Sequence, residues 1–313
     1  MGRGARGLGV RGWRYGAAIV SAMLLAACGS GGGGNGNSID GYRAVVAGNP
    51  FVAVGTTGLV GTSSDGRSFT RGTSGVEPTL NGLTFALGQY VAVGDFGTVI
   101  TSPDGFSWTP HIVPTAVSLQ DVAYANGRFV AVGFVGTILT STDARTWTTV
   151  ESGTSTTLHG VTFGNDTFVA VGETGVILTS PDGETWTPRD SGATQSLARV
   201  RYGAGRFVAV GFIGTIAVST DDGVTWSSRR ENLGNSSMQN SILNDVTFGE
   251  NQFVIVGANG VIATTPDGGP VTQRDGHTST FLSAVTFGGG KFVATGTDRI
   301  IINSSDGVTW EKP

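Results

Sequence analysis

Seven aspartates recur along the chain at a nearly constant interval, and an apolar residue, usually tryptophan, follows each of them four or five residues later. The successive intervals are 39, 39, 39, 39, 46 and 39 residues. Carboxylates could serve a glycosidase or bind calcium. A glycosidase needs two facing carboxyl groups and calcium needs several oxygen ligands, whereas each of these segments offers one carboxylate. We therefore interpret the seven as structural: Asp65, Asp104, Asp143, Asp182, Asp221, Asp267 and Asp306.

Other residues with catalytic potential are few. The chain has three histidines: His111, His159 and His277. They stand at unrelated positions, which favours surface side chains over a metal site, whose ligands must converge. The sequence contains no phosphate-binding loop and no G-x-S-x-G element. Asp121, Glu173 and Asp245 would form a catalytic carboxylate pair only if the fold placed two of them face to face. We predict no catalytic residue, no cofactor and no metal site.

The aspartates belong to a repeat, and residues 158–186, LHGVTFGNDTFVAVGETGVILTSPDGETW, are one copy of it. Each copy predicts four short strands, because Val, Ile, Phe, Thr and Trp form the runs and Gly, Asn, Asp and Pro separate them. The second and third strands are apolar on both faces and must be covered on both sides. Seven such repeats predict an all-β fold, a seven-bladed β-propeller of four-stranded antiparallel blades over residues 41–313. The alternative of a β-solenoid is disfavoured, because the coils of a β-solenoid are shorter than this repeat.

The segment between the third and fourth strands predicts a tight hairpin turn, as in SPDGETW, since Asp and Gly tolerate positive φ. The apolar residue that follows should pack between blades. Tryptophan fills this position in five repeats: Trp108, Trp147, Trp186, Trp226 and Trp310. Phe69 and Val271 take its place in the first and sixth repeats.

This motif resembles the Asp-box (BNR-like) repeat of sialidase-type propellers, and residues 219–226, STDDGVTW, match its full pattern S-x-D-x-G-x-T-W. The repeat region is also similar to photosystem II assembly factors and their non-photosynthetic bacterial relatives. The resemblance implies the propeller fold and a structural role for the aspartates. It implies no activity, because one fold hosts many functions. A sialidase would have six blades and an F-R-I-P-like element, which the sequence lacks.

The first 40 residues predict export and membrane attachment. Residues 17–27, AAIVSAMLLAA, follow a basic segment and are too few to span a bilayer, which is typical of a signal peptide over residues 1–27. The sequence LAAC, residues 25–28, resembles the bacterial lipobox and predicts lipidation of Cys28. Residues 28–40 are rich in Gly, Ser and Asn and predict a flexible tether. Two or more acyl chains would hold the protein stably on a membrane.

The expected location is therefore the bacterial cell envelope. It would be the outer membrane in a Gram-negative host and the outer face of the cytoplasmic membrane otherwise. The formal net charge is −4 and the mature region has no basic run, which argues against a nucleic-acid partner. Cys28 is the sole cysteine, so the chain cannot form an internal disulfide.

A first candidate site lies between the second and third strands, where a two-residue tip should be polar. In repeats two, three and five it is apolar instead, and exposed apolar clusters tend to mark interaction surfaces. These side chains could alternatively fold inward and plug the mouth of the channel. The candidate partner-binding rim consists of Phe96, Phe134, Val135, Glu173, Phe212 and Ile213.

A second candidate site lies on the axis, which the first strands should line with small neutral residues. The fifth repeat has arginines there, which could bind an anion or a carboxylate partner, or could pair with nearby aspartates. This candidate axial polar site consists of Asp121, Arg199, Arg201 and Asp245. The extra residues of the fifth connection, within 229–242, predict a surface loop rather than a lid.

These observations favour a non-catalytic, envelope-tethered binding or scaffolding module for a protein or a glycan, which contacts the membrane only through its lipid anchor. The alternative is a carbohydrate-active hydrolase that uses the axial face. The repeats begin with an inner strand near Tyr42 and end with an outer one at Trp310. We therefore expect blade 1 to pack face to face on blade 7, without an exchanged strand.

Overall fold

The chain folds into seven antiparallel sheets that form the blades of a propeller, as the repeats predict. The computed structural model describes residues 40–233 and 242–313, to which the statements below refer. The predicted signal peptide, Cys28, nearly all of the predicted tether and most of the fifth connection lie outside the described residues. In the described ranges, no helix has the length and apolar composition needed to cross a membrane.

The strands follow the chain order within each blade, from the axis outward. Blade 1 consists of β1 (Tyr42–Val46), β2 (Phe51–Gly55), β3 (Leu59–Ser63) and β4 (Thr70–Thr73). Blade 2 consists of β5 (Leu80–Ala86), β6 (Gln89–Gly94), β7 (Thr98–Ser102) and β8 (Thr109–His111). Blade 3 consists of β9 (Leu119–Ala125), β10 (Arg128–Gly133), β11 (Ile138–Ser141) and β12 (Thr148–Val150). Blade 4 consists of β13 (Leu158–Gly164), β14 (Thr167–Gly172), β15 (Ile177–Ser180) and β16 (Thr187–Arg189). Blade 5 consists of β17 (Leu197–Gly203), β18 (Arg206–Gly211), β19 (Thr215–Ser219) and β20 (Ser227–Arg230). Blade 6 consists of β21 (Leu243–Gly249), β22 (Gln252–Gly257), β23 (Ile262–Thr265) and β24 (Thr272–Arg274). Blade 7 consists of β25 (Leu282–Gly288), β26 (Lys291–Gly296) and β27 (Ile301–Ser304).

The core consists of the interfaces between neighbouring blades. Successive side chains of a strand point to opposite faces, so each F-V-A-V strand supplies two residues to the blade before it and two to the blade after it. At the interface of blades 2 and 3, Val91 and Val93 pack against Phe129 and Ala131. Trp147 lies in the same cluster, so the tryptophan of blade 3 packs on blade 2. Apolar side chains on both faces of a strand are thus buried without helices.

Blade 1 closes the ring by packing on blade 7, which confirms the expected closure. Tyr42, Phe51 and Ala53 of blade 1 form one buried cluster with Ala284 and Val293 of blade 7. The first strand pairs with the second strand of its own blade and adds no strand to blade 7. A single bridge, from Gly41 to Thr297, joins the two blades outside the named strands.

The closing interface is less regular than the others. The fourth strand of blade 7 is reduced to one bridge, in which Asn303 and Glu311 exchange backbone hydrogen bonds of 2.8 and 2.9 Å. The hydroxyl of Thr295 and the side-chain amide of Asn303 are buried without a hydrogen-bond partner among the described residues. Thr295 occupies the place of the second valine in the F-V-A-V pattern, so blade 7 presents a hydroxyl where the other six blades present valine.

Polar side chains at the start of the second strand reach a carbonyl in the third-to-fourth turn of the next blade. Gln89 Nε2 donates to the carbonyl of Asp143 at 3.3 Å, and Arg206 Nη1 donates to that of Asp267 at 2.9 Å. Lys291 Nζ donates to the carbonyl of Asp65 at 2.8 Å, and this bond joins blade 7 to blade 1. The sequence pattern gave no indication of these contacts, because each depends on the relative position of two blades.

The turn aspartates bind backbone N–H groups in their own turns. Asp143 Oδ1 accepts the N–H groups of Thr146 and Arg145, each at 2.8 Å, and the hydroxyl of Ser141 at 2.9 Å. These backbone bonds are the main cause that lowers the pKa of Asp143 to about 2. The pKa is also lowered at the six equivalent positions, where a backbone bond is the largest cause except at Asp221, whose largest cause is the hydroxyl of Thr225: Asp65, Asp104, Asp182, Asp221, Asp267 and Asp306.

We predict that Asp143→Asn lowers the free energy of unfolding at pH 7 by about 1 kcal/mol, the usual effect of weakening a side-chain cap on backbone N–H groups. Because the pKa is lowered in the folded protein, the carboxylate stabilises the fold above its ordinary pKa, and this contribution is lost as the pH falls towards about 2. Thermal unfolding of both proteins between pH 7 and pH 2 should show the difference in Tm shrinking below about pH 4. Asp166→Asn, in an exposed turn between the first and second strands, is the control. A constant difference down to pH 2 would contradict an ionised cap.

Candidate functional site

The turns from the second to the third strand and the connections between blades lie on the same side of the propeller. The N–H of Asp95 donates to the carbonyl of Thr79 at 2.9 Å, and the N–H of Phe134 donates to the carbonyl of Ser118 at 3.0 Å. Each bond joins a second-to-third turn to the connection that enters the same blade. We call this side the rim face. The first-to-second turns and the aspartate turns lie on the opposite face.

The rim-face turns share one backbone conformation at their second residue. The second residue of each turn has a left-handed backbone, with φ of 57° at Phe96, 55° at Val135 and 53° at Ile213. This conformation is unfavourable for a β-branched residue. Phe96 is 76% exposed and Val135 is 65% exposed, so at these turns the second side chain points into solvent.

The six residues predicted to form a rim therefore divide into two groups. Phe96 and Val135 are exposed. The other four are half-buried: Phe134, Glu173, Phe212 and Ile213. Phe134 and Phe212 are the first residues of their turns, and their backbone N–H groups bond to the preceding connection. Their position in the turn explains why two phenylalanines in similar sequences, Phe96 and Phe134, differ in exposure.

The structure adds a groove that the sequence analysis missed. It has a volume of about 290 Å³. It is lined by Val76 and Pro78 of the connection into blade 2, by Phe96, and by Ile112 and Val113 of the connection out of blade 2. Ile112 is 97% exposed. The signal in the sequence was the apolar pair Ile112-Val113, which stands where other connections carry acidic or small polar residues.

The exposed apolar groups on the rim face are concentrated on blades 2 and 3. Phe96, Ile112 and Val135 all belong to this sector. The opposite face of blade 2 carries Leu87 and Phe106, which are 61% and 59% exposed. These two residues lie in different turns of that face.

On the axis, Arg199 joins four blades. Its Nη1 donates to the carbonyls of His159 at 2.5 Å and Ala198 at 3.0 Å, and its Nη2 donates to those of Asn81 and Gln120 at 3.4 Å each. All four carbonyls belong to the second residue of an inner strand, close to the rim face. The guanidinium therefore lies across the mouth of the channel, where the sequence analysis considered a plug of apolar rim residues.

The axial arginines also pair with the two axial aspartates. Arg199 Nε lies 3.8 Å from Asp121 Oδ2, and Arg201 Nη1 lies 3.9 Å from the same oxygen. Arg201 Nη2 lies 3.9 Å from Asp245 Oδ1. Two roles were considered for these arginines, binding of an anionic partner and pairing with nearby aspartates. The structure shows the pairing with aspartates.

Each axial aspartate also links two neighbouring blades. Asp121 accepts the N–H of the next residue, Val122, at 3.0 Å and that of Val161 in blade 4 at 3.1 Å. Asp245 makes the same pair of bonds in blade 6, its partner in blade 7 being the N–H of Val285 at 2.9 Å. Burial raises the pKa of Asp245, and the neighbouring arginine charges oppose this. Both carboxylates therefore accept backbone hydrogen bonds that join neighbouring blades.

The three histidines do not share one environment. His277 is exposed and lies 3.2 Å from Asp275, and His111 is half-buried with its Nε2 2.7 Å from the hydroxyl of Thr101. The prediction of a surface side chain is wrong for His159, which is 3% exposed and has no partner for either ring nitrogen. Burial, and then the charge of Arg199, lower its pKa to about 4. Arg199 of the next blade, whose Nη1 donates to the His159 carbonyl, lies beside this residue.

Within the described ranges, no three His, Cys, Asp or Glu side chains are placed to hold a metal ion. The apolar groove and the axial cluster are the two arrangements that the structure offers for function. The groove can take an apolar side chain. The axial cluster consists of charges that already bind one another.

No protein-family model and no curated protein sequence matches the chain. Solved propeller structures do resemble it. YCF48 bound to D1 peptide aligns with a TM-score of 0.68 at 18% identity, over 87% of this chain and 93% of that one. YCF48 from Cyanidioschyzon merolae gives 0.65 at 15% identity over 86% and 96%, and the WD40 propeller domain of Doa1 gives 0.66 at 13% identity over 86% and 94%. At such identities the likeness establishes the fold alone.

We predict that Arg199→Leu lowers the free energy of unfolding by roughly 3 kcal/mol, the scale for breaking a buried ion pair. Four carbonyls lose a donor, and Asp121 keeps a buried charge with a weaker partner. Arg206→Leu is the control, since Arg206 donates to one carbonyl of the next blade nearer the surface. Urea unfolding measures both variants. Equal losses in the two would show that the axial arginine has no special role in stability.

Proposed function

We propose that this chain is a protein-binding scaffold of the bacterial envelope, and that the rim face of blades 2 and 3 receives a segment of the partner. The observation that carries the proposal is the groove beside Phe96 and Ile112, two large apolar side chains that are more than three-quarters exposed. An exposed apolar side chain gains free energy when a partner covers it. Aromatic and aliphatic side chains beside a pocket are typical anchors of protein interfaces.

A protein partner fits this site better than a glycan. Seven of the eleven groove-lining residues are Val, Pro, Ile or Phe, which offer no side-chain hydrogen bonds to sugar hydroxyls, and polar side chains come only from Thr98, His111 and Thr115. A propeller of similar fold has been solved with a bound peptide, and this supports a peptide-like ligand for the present chain. The hydrolase alternative finds less support, because both axial aspartates hold backbone N–H groups and pair with arginines.

Attachment to the membrane is the second part of the proposal. It depends on the lipobox-like sequence that ends at Cys28. A scaffold held at the membrane needs to bind its partner only weakly, because anchoring confines the two proteins to a small volume. The groove is small, and this matches a site that works with the help of an anchor.

We predict that Phe96→Ser combined with Ile112→Ser removes partner binding, with a loss of about 2 kcal/mol or more if either residue is a hot spot. Crosslinking in intact envelopes with the native anchor identifies the partner bands and compares their yield. Thermal stability should stay nearly unchanged, because the side chains removed are exposed. Leu87→Ser combined with Phe106→Ser removes two similar side chains from the opposite face and serves as the matched control. Bands of equal yield in the rim variant and the native protein would refute the proposed site.

We also predict that Cys28→Ala moves the protein from the membrane fraction to the soluble fraction and abolishes incorporation of labelled fatty acid. The physical reason is that the thiol is the proposed attachment point for the acyl chains. Fractionation with metabolic labelling measures both effects. Retention in the membrane with unchanged labelling would refute the lipobox interpretation and leave the rim site to be tested separately.

A further inference from the structure

The charges around the groove are of one sign. On the rim face, the turns of blades 2, 3 and 4 and the connections from blade 1 to blade 4 carry four acidic side chains: Glu77, Asp95, Glu151 and Glu173. The rim-face segments between Arg71 and Arg189 contain no lysine and no arginine. None of the four carboxylates forms a salt bridge within the part of the chain that the structure describes. The apolar groove therefore lies in a field of uncompensated negative charge.

Two of these carboxylates are next to groove residues in the chain. Glu77 stands between Val76 and Pro78 and is exposed, and Asp95 directly precedes Phe96. Glu151 is exposed and occupies, in blade 3, the place that Ile112 holds in blade 2. The arginines of the same sector, Arg128 and Arg145, belong to turns on the opposite face.

The outer edge of blade 2 restricts how a ligand can bind. The outer strand, Thr109–His111, has Pro110 at its centre, and proline offers no N–H group to an added strand. Strand addition at this edge is thus interrupted. A ligand must place a side chain in the groove, which is at the small end of the range for ligand pockets and accepts one bulky apolar group.

Building on the proposed function, we infer that the groove binds a short, extended segment of a partner protein in which a bulky apolar residue is flanked by lysines or arginines. The apolar residue enters the groove between Phe96 and Ile112. The flanking cations lie near Glu77, Asp95 and Glu151, where opposite charge speeds association and excludes acidic sequences. An anionic phospholipid surface would be repelled by the same carboxylates.

The test uses two synthetic peptides with the same Leu-Phe-Leu centre, one flanked by lysines and the other by glutamates, and the full mature protein with Cys28→Ala. We expect the lysine-flanked peptide to bind roughly tenfold more tightly at low ionic strength, with the difference shrinking as salt screens the charges. Fluorescence anisotropy of the labelled peptides gives both dissociation constants. Phe96→Ser with Ile112→Ser should abolish binding of both peptides, and Leu87→Ser with Phe106→Ser should not.

Charge variants separate this inference from nonspecific attraction. Glu77→Lys should reduce the preference for the lysine-flanked peptide severalfold. Glu250→Lys makes the same charge change in an exposed turn of the opposite face and should leave the preference unchanged. Equal binding of the two peptides, binding of neither, or equal effects of the two charge variants would overturn the inference. Vesicles of anionic phospholipid that bind the protein through Phe96 and Ile112 would also overturn it and identify a lipid surface as the ligand.

Failure of this inference can be distinguished from failure of the proposed function. If the envelope crosslinks depend on the rim residues but neither peptide binds, the rim is a protein site and the inferred sequence preference is wrong. If the crosslinks are independent of the rim residues, the proposed function itself is wrong.

Discussion

The mutual burial of neighbouring blades is the constraint on which the structure depends. Strands such as Phe129–Val132 are apolar on both faces, and no blade can cover its own two faces. Only a neighbour on each side removes this surface from water, so the repeats must close into a ring. The aspartates bind the backbone N–H groups of their turns, and the tryptophans add to the buried surface between blades. The rim face is free of this constraint, which is why its residues can differ from blade to blade.

Much of the fold could be predicted from the sequence, because it repeats a pattern with a physical meaning. Each F-V-A-V run with its Asp-Gly turn predicts two strands and a hairpin, and seven copies predict the ring. The closing interface was predictable from where the repeats begin and end. The unpartnered polar groups of Thr295 and Asn303 were not, since a single residue in a repeat gives no indication of what faces it.

The candidate site was less predictable, because exposure depends on geometry that residue type does not determine. Phe96 and Phe134 both lie in a turn tip, yet Phe96 at the second position is exposed and Phe134 at the first is half-buried. Ile213 is half-buried although it too stands at the second position. Ile112 and Val113 depart from the residues of most other connections, but the sequence does not show that Val76 and Phe96 lie beside them and form a groove. On the axis, residue type was more informative, since charged side chains among small neutral ones need partners of opposite charge.

The seam between blades 7 and 1 has a consequence for how this protein fails under stress. Within the described residues, the hydroxyl of Thr295 and the side-chain amide of Asn303 are buried there without partners, and the outer strand of blade 7 is held by a single bridge. The ring should therefore part first at this junction, while the other interfaces stay intact. Two complementary apolar surfaces would then be exposed on one molecule, each shaped to fit the opposite surface of another copy. Such contacts run head to tail and do not close, so heating a concentrated sample should yield chains of opened propellers whose other blade interfaces are intact.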